Sequence, residues 1–212
     1  MIQVESVEEP FREPELVGPT FGVLKRAGAM GLFTKTIGKL NFAAFREVVE
    51  SLRKAGIARE TEPAVHFFTL KSPSKDVNSE ELLRFMKILT EALEESPAPP
   101  YEWRRLTALF KPELDDLAEL LGVSLSSLRR YSSKHRDTPD DIAARLHFIA
   151  LVTGDLVGAY NDMGVRNWFQ RKRALLDGKA PKDLLRGDWQ PGDSGPEHVR
   201  ALARSLAAGS AT

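Results

Sequence analysis

The chain has 212 residues, of which 42% are hydrophobic and 28% charged, a composition that is ordinary for a globular protein with a buried core. It has no cysteine, which excludes disulfides, zinc–thiolate sites and cysteine nucleophiles. Its thirty basic and thirty acidic residues cancel, so no global field favours nucleic acid and only local patches of charge direct binding.

Several functional classes lack their sequence signals. The four histidines are far apart and lack HxxxH or HExxH spacing, so we expect no metal site and no cofactor. No apolar run approaches the roughly 20 residues that span a bilayer, and the N-terminus lacks a signal pattern, which predicts a cytoplasmic protein outside the membrane. There is no P-loop, no GxGxxG motif after a strand and no nucleophile elbow, so we expect no enzymatic activity.

Residues 1–36 are predicted to form an extended or mobile arm. Pro10, Pro14 and Pro19 are interleaved with acidic residues and glycines, a pattern that argues against regular structure. Apolar residues such as Phe11 would then anchor the arm to a partner, unless the terminus is simply mobile.

Residues 37–96 are predicted to form a helix–strand–helix region of unknown role. Asn41 is a good N-cap for the first helix, the β-forming residues 64–70 predict a strand, and Asn78 begins the second helix. The proline-rich cluster at residues 96–100 ends that helix and stiffens the chain, and it therefore predicts a domain boundary.

After this cluster nearly all of the chain is predicted to be helical. One helix covers residues 101–110, a long helix follows the start signal of a Thr138 cap and Pro139, and a last helix runs over residues 196–206. The expected fold class is therefore mainly α, with minor β structure in the N-terminal extension.

Residues 114–135 have the spacing of a helix-turn-helix. Ala118 lets the second helix approach the first, Gly122 makes the turn, and Leu128 is a buried aliphatic residue on the second helix. The side chains predicted to contact DNA are Ser124, Ser126, Ser127, Arg129, Arg130, Ser133 and Lys134. In this interpretation the hydroxyls and one arginine contact nucleobase edges, and the other basic side chains bind phosphates. One such module binds weakly, so a homodimer on two half-sites of operator DNA is expected.

An ordinary helical hairpin with solvated arginines is the alternative. Acidic residues on the first helix of the pair lower phosphate affinity unless they are turned away from the second helix. They are Glu113, Asp115, Asp116 and Glu119.

The C-terminal stretch combines a Trp168-Phe169 pair, a basic run, a Leu-x-Gly-x-x-Pro-x-x-Leu-Leu motif at residues 176–185 and a last helix led by Gly195. In these features it resembles the Xre/MbcA/ParS type of antitoxin, the partners of RES-domain toxins. The resemblance covers about residues 101–212. It implies an Xre-like helix-turn-helix region over residues 101–160 and a small helical toxin-binding domain over residues 161–212.

The resemblance implies an antitoxin that occludes the active site of an NAD-consuming RES-type toxin and represses its own operon, either as a homodimer or in a hetero-oligomer with the toxin. On this interpretation the toxin-binding candidates are Trp168, Arg171, Arg173, Lys179, Trp189, Arg200, Arg204 and Ser205. Trp168 is also expected in the core, while Trp189, in an apparent insertion at residues 186–193, either anchors an interface or folds back on its own domain. The alternative function is a stand-alone helix-turn-helix regulator whose C-terminal block dimerises.

Overall fold

The computed structural model describes residues 2–57 and 78–209, so the predicted strand at residues 64–70 lies outside the described residues. The chain divides into an N-terminal unit, Met1–Ser96, and a C-terminal unit, Pro97–Thr212. This division falls at the proline-rich cluster, where a boundary was predicted. The described residues are mainly helical with a two-stranded parallel sheet, which confirms the predicted fold class.

The N-terminal unit is built from two strands and three helices within its described residues. They are β1 (Val4–Val7), α1 (Pro14–Ala29), β2 (Ile37–Leu40), α2 (Phe42–Lys54) and α3 (Ser79–Glu95). The predicted N-caps are confirmed, because the Asn41 side chain accepts a hydrogen bond from the amide of Ala44, and Asn78 forms a reciprocal capping box with Glu81.

The predicted extended arm over residues 1–36 is wrong. This segment contains β1, which pairs in parallel with β2, and the 16-residue helix α1. Pro14 lies in the first turn of α1, where its missing amide hydrogen breaks no helical hydrogen bond. Buried residues recur at helical spacing along α1, and their burial outweighs the local cost of Pro19 inside the helix. They are Leu16, Thr20, Val23, Leu24 and Ala27.

The C-terminal unit is helical throughout its described residues. Its helices are α4 (Pro99–Leu109), α5 (Leu114–Leu121), α6 (Leu125–Ser132), α7 (Asp140–Leu156), α8 (Asp162–Gln170), α9 (Pro181–Leu184) and α10 (Ser194–Gly209), with a 3-10 turn at Ala174–Leu176. Within the part of the chain that the structure describes, no helix is long and apolar enough to cross a membrane.

Helix α7 is the centre of the C-terminal unit. Every residue from Arg145 to Leu156 is buried, so this helix is enclosed on all sides rather than amphipathic. Helices α4 and α10 both pack on it. The two separate domains predicted over residues 101–160 and 161–212 therefore form one compact unit, because they share α7 as a core element.

The start of α7 differs in detail from the prediction. The helix begins at Asp140 and its N-cap position is Pro139, so Thr138 is not the cap. The Thr138 hydroxyl instead accepts a hydrogen bond of 2.9 Å from the indole nitrogen of Trp103 on α4. A buried indole N–H needs an acceptor, and this requirement decides where the hydroxyl points.

Candidate nucleic-acid interface

Helices α5 and α6 are joined by a three-residue turn at the predicted place. α5 ends at Gly122, whose φ of +66° is left-handed, and the amide of Val123 then donates to the carbonyl of Ala118 at 3.0 Å. Ser124 begins α6 by accepting a hydrogen bond from the amide of Ser127 at 3.1 Å. Leu128 is buried, as predicted, and locks α6 onto its neighbours.

The outer face of α6 is basic. The exposed side chains among those predicted to contact DNA are Ser124, Ser126, Arg129, Arg130, Ser133 and Lys134, while Ser127 is half-buried. Residues 124–136 contain four arginines and lysines and no acidic residue. In the described part of the chain no ion pair involves Arg129, Arg130 or Lys134. Their positive charge is therefore presented to solvent.

The hydroxyls of α6 are less available than the sequence predicted. Ser124 caps the helix, and its Oγ lies 3.0 Å from the hydroxyl of Ser127. The Ser133 hydroxyl donates to the carbonyl of Arg129 at 2.6 Å. Each of the four predicted hydroxyls thus lies within hydrogen-bond distance of a group of its own helix, and the exposed Ser126 lies 2.9 Å from the Ser124 hydroxyl.

The acidic residues in and just before α5 contact other parts of the C-terminal unit rather than α6. Glu113 pairs with Arg166 of α8 at 3.3 Å, and Asp116 accepts a hydrogen bond of 2.8 Å from Gln170. Burial raises the pKa of the Asp116 carboxyl, and the nearby charge of Glu113 raises it further. Glu119 lies 3.7 Å from Arg186, so among these four acidic residues only Asp115 has no ion pair or hydrogen bond to a side chain of the described residues.

The turn between α5 and α6 is held by a buried arginine of α7 that was not predicted as a functional residue. Arg145 is 2% exposed and donates to the carbonyls of Leu121 at 3.2 Å, Gly187 at 3.4 Å and Trp189 at 2.7 Å. It also pairs with the carboxylate of Asp188. The signal in the sequence was an arginine within the largely apolar run of α7. Periodicity alone does not show whether such an arginine is buried or exposed to solvent.

Residues 186–193, here called the strap, cover the end of α5. The indole nitrogen of Trp189 donates to the carbonyl of Leu120 at 2.9 Å, and its ring packs edge-on against Phe148 at 5.1 Å. The last carbonyls of a helix have no partner within the helix, and Trp189 and Arg145 supply two of the missing donors. Trp189 is 4% exposed, so its prediction as a toxin-binding residue is wrong and the alternative, that it folds back, is correct.

Two other predicted toxin-binding residues are also buried. Trp168 is 1% exposed and packs edge-on against Phe169 at 5.3 Å. Arg200 is 8% exposed because its guanidinium pairs with Asp155 of α7 at 2.6 Å, which balances the buried charge. Because both side chains are buried, the prediction that Trp168 and Arg200 contact a toxin is wrong. Arg173 is half-buried and its guanidinium lies 5.4 Å from the centroid of the Trp168 ring. Arg171, Lys179, Arg204 and Ser205 remain exposed.

The chain folds into a tight corner at residues 173–181. The amides of Leu176 and Gly178 both donate to the carbonyl of Arg173 at 3.0 Å, and the amide of Arg173 donates to the carbonyl of Lys179 at 2.9 Å. Asp177 and Gly178 have φ values of +54° and +74°, which close the turn. Pro181 then begins α9. The corner presents Leu175, 79% exposed, which the sequence did not single out.

A buried carboxylate–imidazole pair joins α4 to α7. Glu102 is fully buried and its Oε1 lies 2.7 Å from Nδ1 of His147, while its Oε2 has no hydrogen-bond partner. Burial raises the pKa of the Glu102 carboxyl, and the bond to His147 opposes that effect. Adjacent Trp103 stacks on Tyr131 of α6, with ring centroids 6.1 Å apart. No group of three or more metal-ligating side chains occurs among the described residues.

Comparison with protein-family models, with curated proteins and with solved structures found no match to this chain. The resemblance to the Xre/MbcA/ParS antitoxins therefore stays a prediction that rests on the residues alone.

Proposed function

We propose that the chain is a DNA-binding regulator that contacts duplex DNA through α6. The observation that supports this proposal is the exposed face of α6, where Arg129 and Arg130 have no ion-pair partner among the described residues. An arginine in the major groove binds guanine through two hydrogen bonds, and we propose that the exposed Ser126 contacts a neighbouring base edge. The remaining basic side chains then bind phosphates and set the position of the protein on the duplex.

The regulator is proposed to act as a dimer in the cytoplasm. A single helix of eight residues reads only a few base pairs, so useful specificity needs two copies on half-sites about 34 Å apart. The binding of the acidic residues of α5 to α8 and the strap supports this function, because it keeps three carboxylates from competing with DNA phosphates.

Replacing Arg130 by alanine is expected to weaken DNA binding about tenfold, with no loss of stability, because the side chain is exposed and forms no ion pair in the described part of the chain. If Arg130 contacts a phosphate, the slope of log affinity against log salt falls by about 0.9; if it contacts a base, the slope is unchanged and sequence discrimination relaxes. Fluorescence anisotropy with labelled duplexes at several salt concentrations measures both quantities.

The matched control is Arg12→Ala, which removes an exposed arginine from the N-terminal unit. It is expected to leave affinity and slope unchanged. Equal losses for the two variants contradict a specific role for α6 and indicate that only net charge matters. A wild-type chain that binds no duplex at low salt contradicts the DNA-binding function itself.

The second candidate, which we propose on the basis of the corner, is an antitoxin that binds a RES-type toxin and represses its operon. Leu175 is 79% exposed on a turn that five backbone hydrogen bonds hold closed. The exposed bases Arg171, Lys172 and Lys179 surround it in sequence, a combination suited to an apolar pocket with an acidic rim on another protein. In this second proposal the corner binds the toxin instead of Trp168 and Trp189, which are buried.

If the chain is such an antitoxin, Leu175→Asp is expected to lower its affinity for the toxin at least tenfold, because the apolar anchor is lost and a negative charge is placed against the proposed acidic rim. The measurement follows NAD consumption by a RES-domain toxin whose gene adjoins that of this chain, titrated with wild-type or variant protein. Met163→Asp, at a 60% exposed position on α8, is the matched control and should inhibit like the wild type. Undiminished NAD consumption in the presence of the wild-type chain contradicts this candidate function.

A further inference from the structure

Arg173 is a half-buried arginine whose charge the described fold leaves uncompensated. Its Nε is buried without an acceptor, and no hydrogen bond or ion pair of the described residues involves its guanidinium. Two other arginines of the described residues also have a buried Nε without an acceptor, but Arg53 pairs with Glu50 and Arg105 pairs with Asp162. A partly desolvated charge without a counter-ion costs free energy, so this guanidinium requires an explanation that the fold does not supply.

The Arg173 side chain is held in place at both of its ends. Its backbone amide donates to the carbonyl of Lys179 and its carbonyl accepts two amides of the corner, so the main chain is fixed. Its guanidinium lies 5.4 Å from the centroid of the Trp168 ring, which is itself buried. The two Nη atoms, unlike Nε, are not buried, so the fork of the guanidinium reaches the surface. A ligand therefore meets donors that have already lost much of their conformational freedom.

The chemistry of Arg173 and its neighbour Leu175 restricts the ligand. A guanidinium fork donates two parallel hydrogen bonds to a carboxylate or a phosphate. Leu175, two residues further along the same turn, is 79% exposed and suits an apolar pocket, which a protein surface offers and a DNA backbone does not. Residues 164–182 contain six basic residues and one acidic residue, so the local charge also favours an acidic partner.

We propose that Arg173 binds an aspartate or glutamate carboxylate of a partner protein, at the rim of the pocket that takes Leu175, and that Trp168 positions the guanidinium. This inference rests on the second proposed function, in which the corner binds a toxin. It separates Arg173 from the exposed basic residues of the corner. Exposed charges speed association and lose their effect as salt rises, whereas a partly desolvated ion pair slows dissociation.

The test measures affinity and dissociation rate by biolayer interferometry, with the full chain and a RES-domain toxin whose gene adjoins that of this chain. Arg173→Gln is expected to weaken the complex about tenfold, mostly through faster dissociation. Arg173→Lys keeps the charge but loses the fork, and should weaken the complex about fivefold. The matched control is Arg171→Gln, which removes an exposed arginine of the same segment and should lower affinity no more than about twofold at about 0.15 M salt.

A double-mutant cycle tests whether Trp168 acts through Arg173. Trp168→Phe keeps an aromatic ring in the core but presents a smaller surface to the guanidinium. This variant is expected to weaken the complex about threefold in the wild-type background and to have no further effect in the Arg173→Gln background. A purely structural role for Trp168 would lower the affinity equally in both backgrounds. Each variant is measured well below its own melting temperature, which circular dichroism gives.

Three results overturn the inference. If Arg173→Gln dissociates at the wild-type rate while Leu175→Asp does not bind, the carboxylate assignment fails and the antitoxin function stands. If Arg173→Lys binds as tightly as the wild type, or if Arg171→Gln loses as much affinity as Arg173→Gln, only the charge of the corner matters. If the wild-type chain leaves NAD consumption by this toxin undiminished, the antitoxin function fails and the inference fails with it.

Discussion

Replacing Arg145 by methionine is expected to lower the free energy of unfolding of the C-terminal unit by about 3 kcal/mol. The guanidinium is 2% exposed and donates to the carbonyls of Leu121, Gly187 and Trp189. Methionine fills a similar volume but leaves the buried carbonyls of Leu121 and Trp189 without this donor, whereas Gly187 is exposed and its carbonyl can bind water. Asp188 contributes less, because its side chain is 91% exposed and returns to solvent.

Urea unfolding followed by tryptophan fluorescence measures this loss in the C-terminal unit. The matched control is Arg186→Met, in which the arginine is 72% exposed and lies 3.7 Å from Glu119. Its expected effect is within about 0.5 kcal/mol of zero, because an exposed ion pair contributes little. Equal midpoints for the two methionine variants would show that the buried hydrogen bonds of Arg145 do not hold the turn.

Replacing Gly122 by alanine is expected to destabilise the C-terminal unit by about 3 kcal/mol, for two reasons that add. The φ of +66° is unfavourable for any residue with a β-carbon. An added β-carbon would also lie well inside the contact distance of the Gly187 carbonyl oxygen and 2.9 Å from Nη1 of Arg145. Because the obstacle includes backbone of the strap, a rotamer change cannot relieve it.

Gly178→Ala separates the two reasons. Gly178 has a φ of +74° and no atom within 4 Å of an added β-carbon, so this variant suffers only the backbone strain, about 1 kcal/mol. The same urea titration compares the two variants. If Gly122→Ala lowers the free energy of unfolding no more than Gly178→Ala does, the strap does not pack against the turn as closely as described. The DNA affinity of Gly122→Ala should fall as well, since the turn orients α6.

The local features of the fold were readable because they depend on near neighbours in the chain. Asn41, Asn78 and Ser124 begin helices with side chains that satisfy amides three residues ahead. Gly122 ends α5 in the left-handed conformation that the turn of a helix-turn-helix needs. In each case the residue and its hydrogen-bond partner are about one helical turn apart in the sequence.

The failures have a different origin. Residues 14–29 were assigned to an extended arm because prolines and acidic residues dominate the local pattern, whereas burial of their apolar face makes them a helix. Trp189 and Arg200 were assigned to a partner surface because aromatic and basic side chains often bind partners. Their partners turned out to be Leu120, at a sequence separation of 69, and Asp155, at a separation of 45.

The sequence by itself determined the helical class, the boundary at residues 96–100 and the helix–turn–helix segment, since periodicity, caps and prolines act within a few residues. Only the tertiary structure decided which charged and aromatic side chains are exposed. Arg145 and Trp189 lie in the interior because the free carbonyls at the end of α5 need donors, and the chain supplies those donors from α7 and the strap. Arg129, Arg130 and Lys134 stay at the surface because no acidic side chain of the described fold pairs with them.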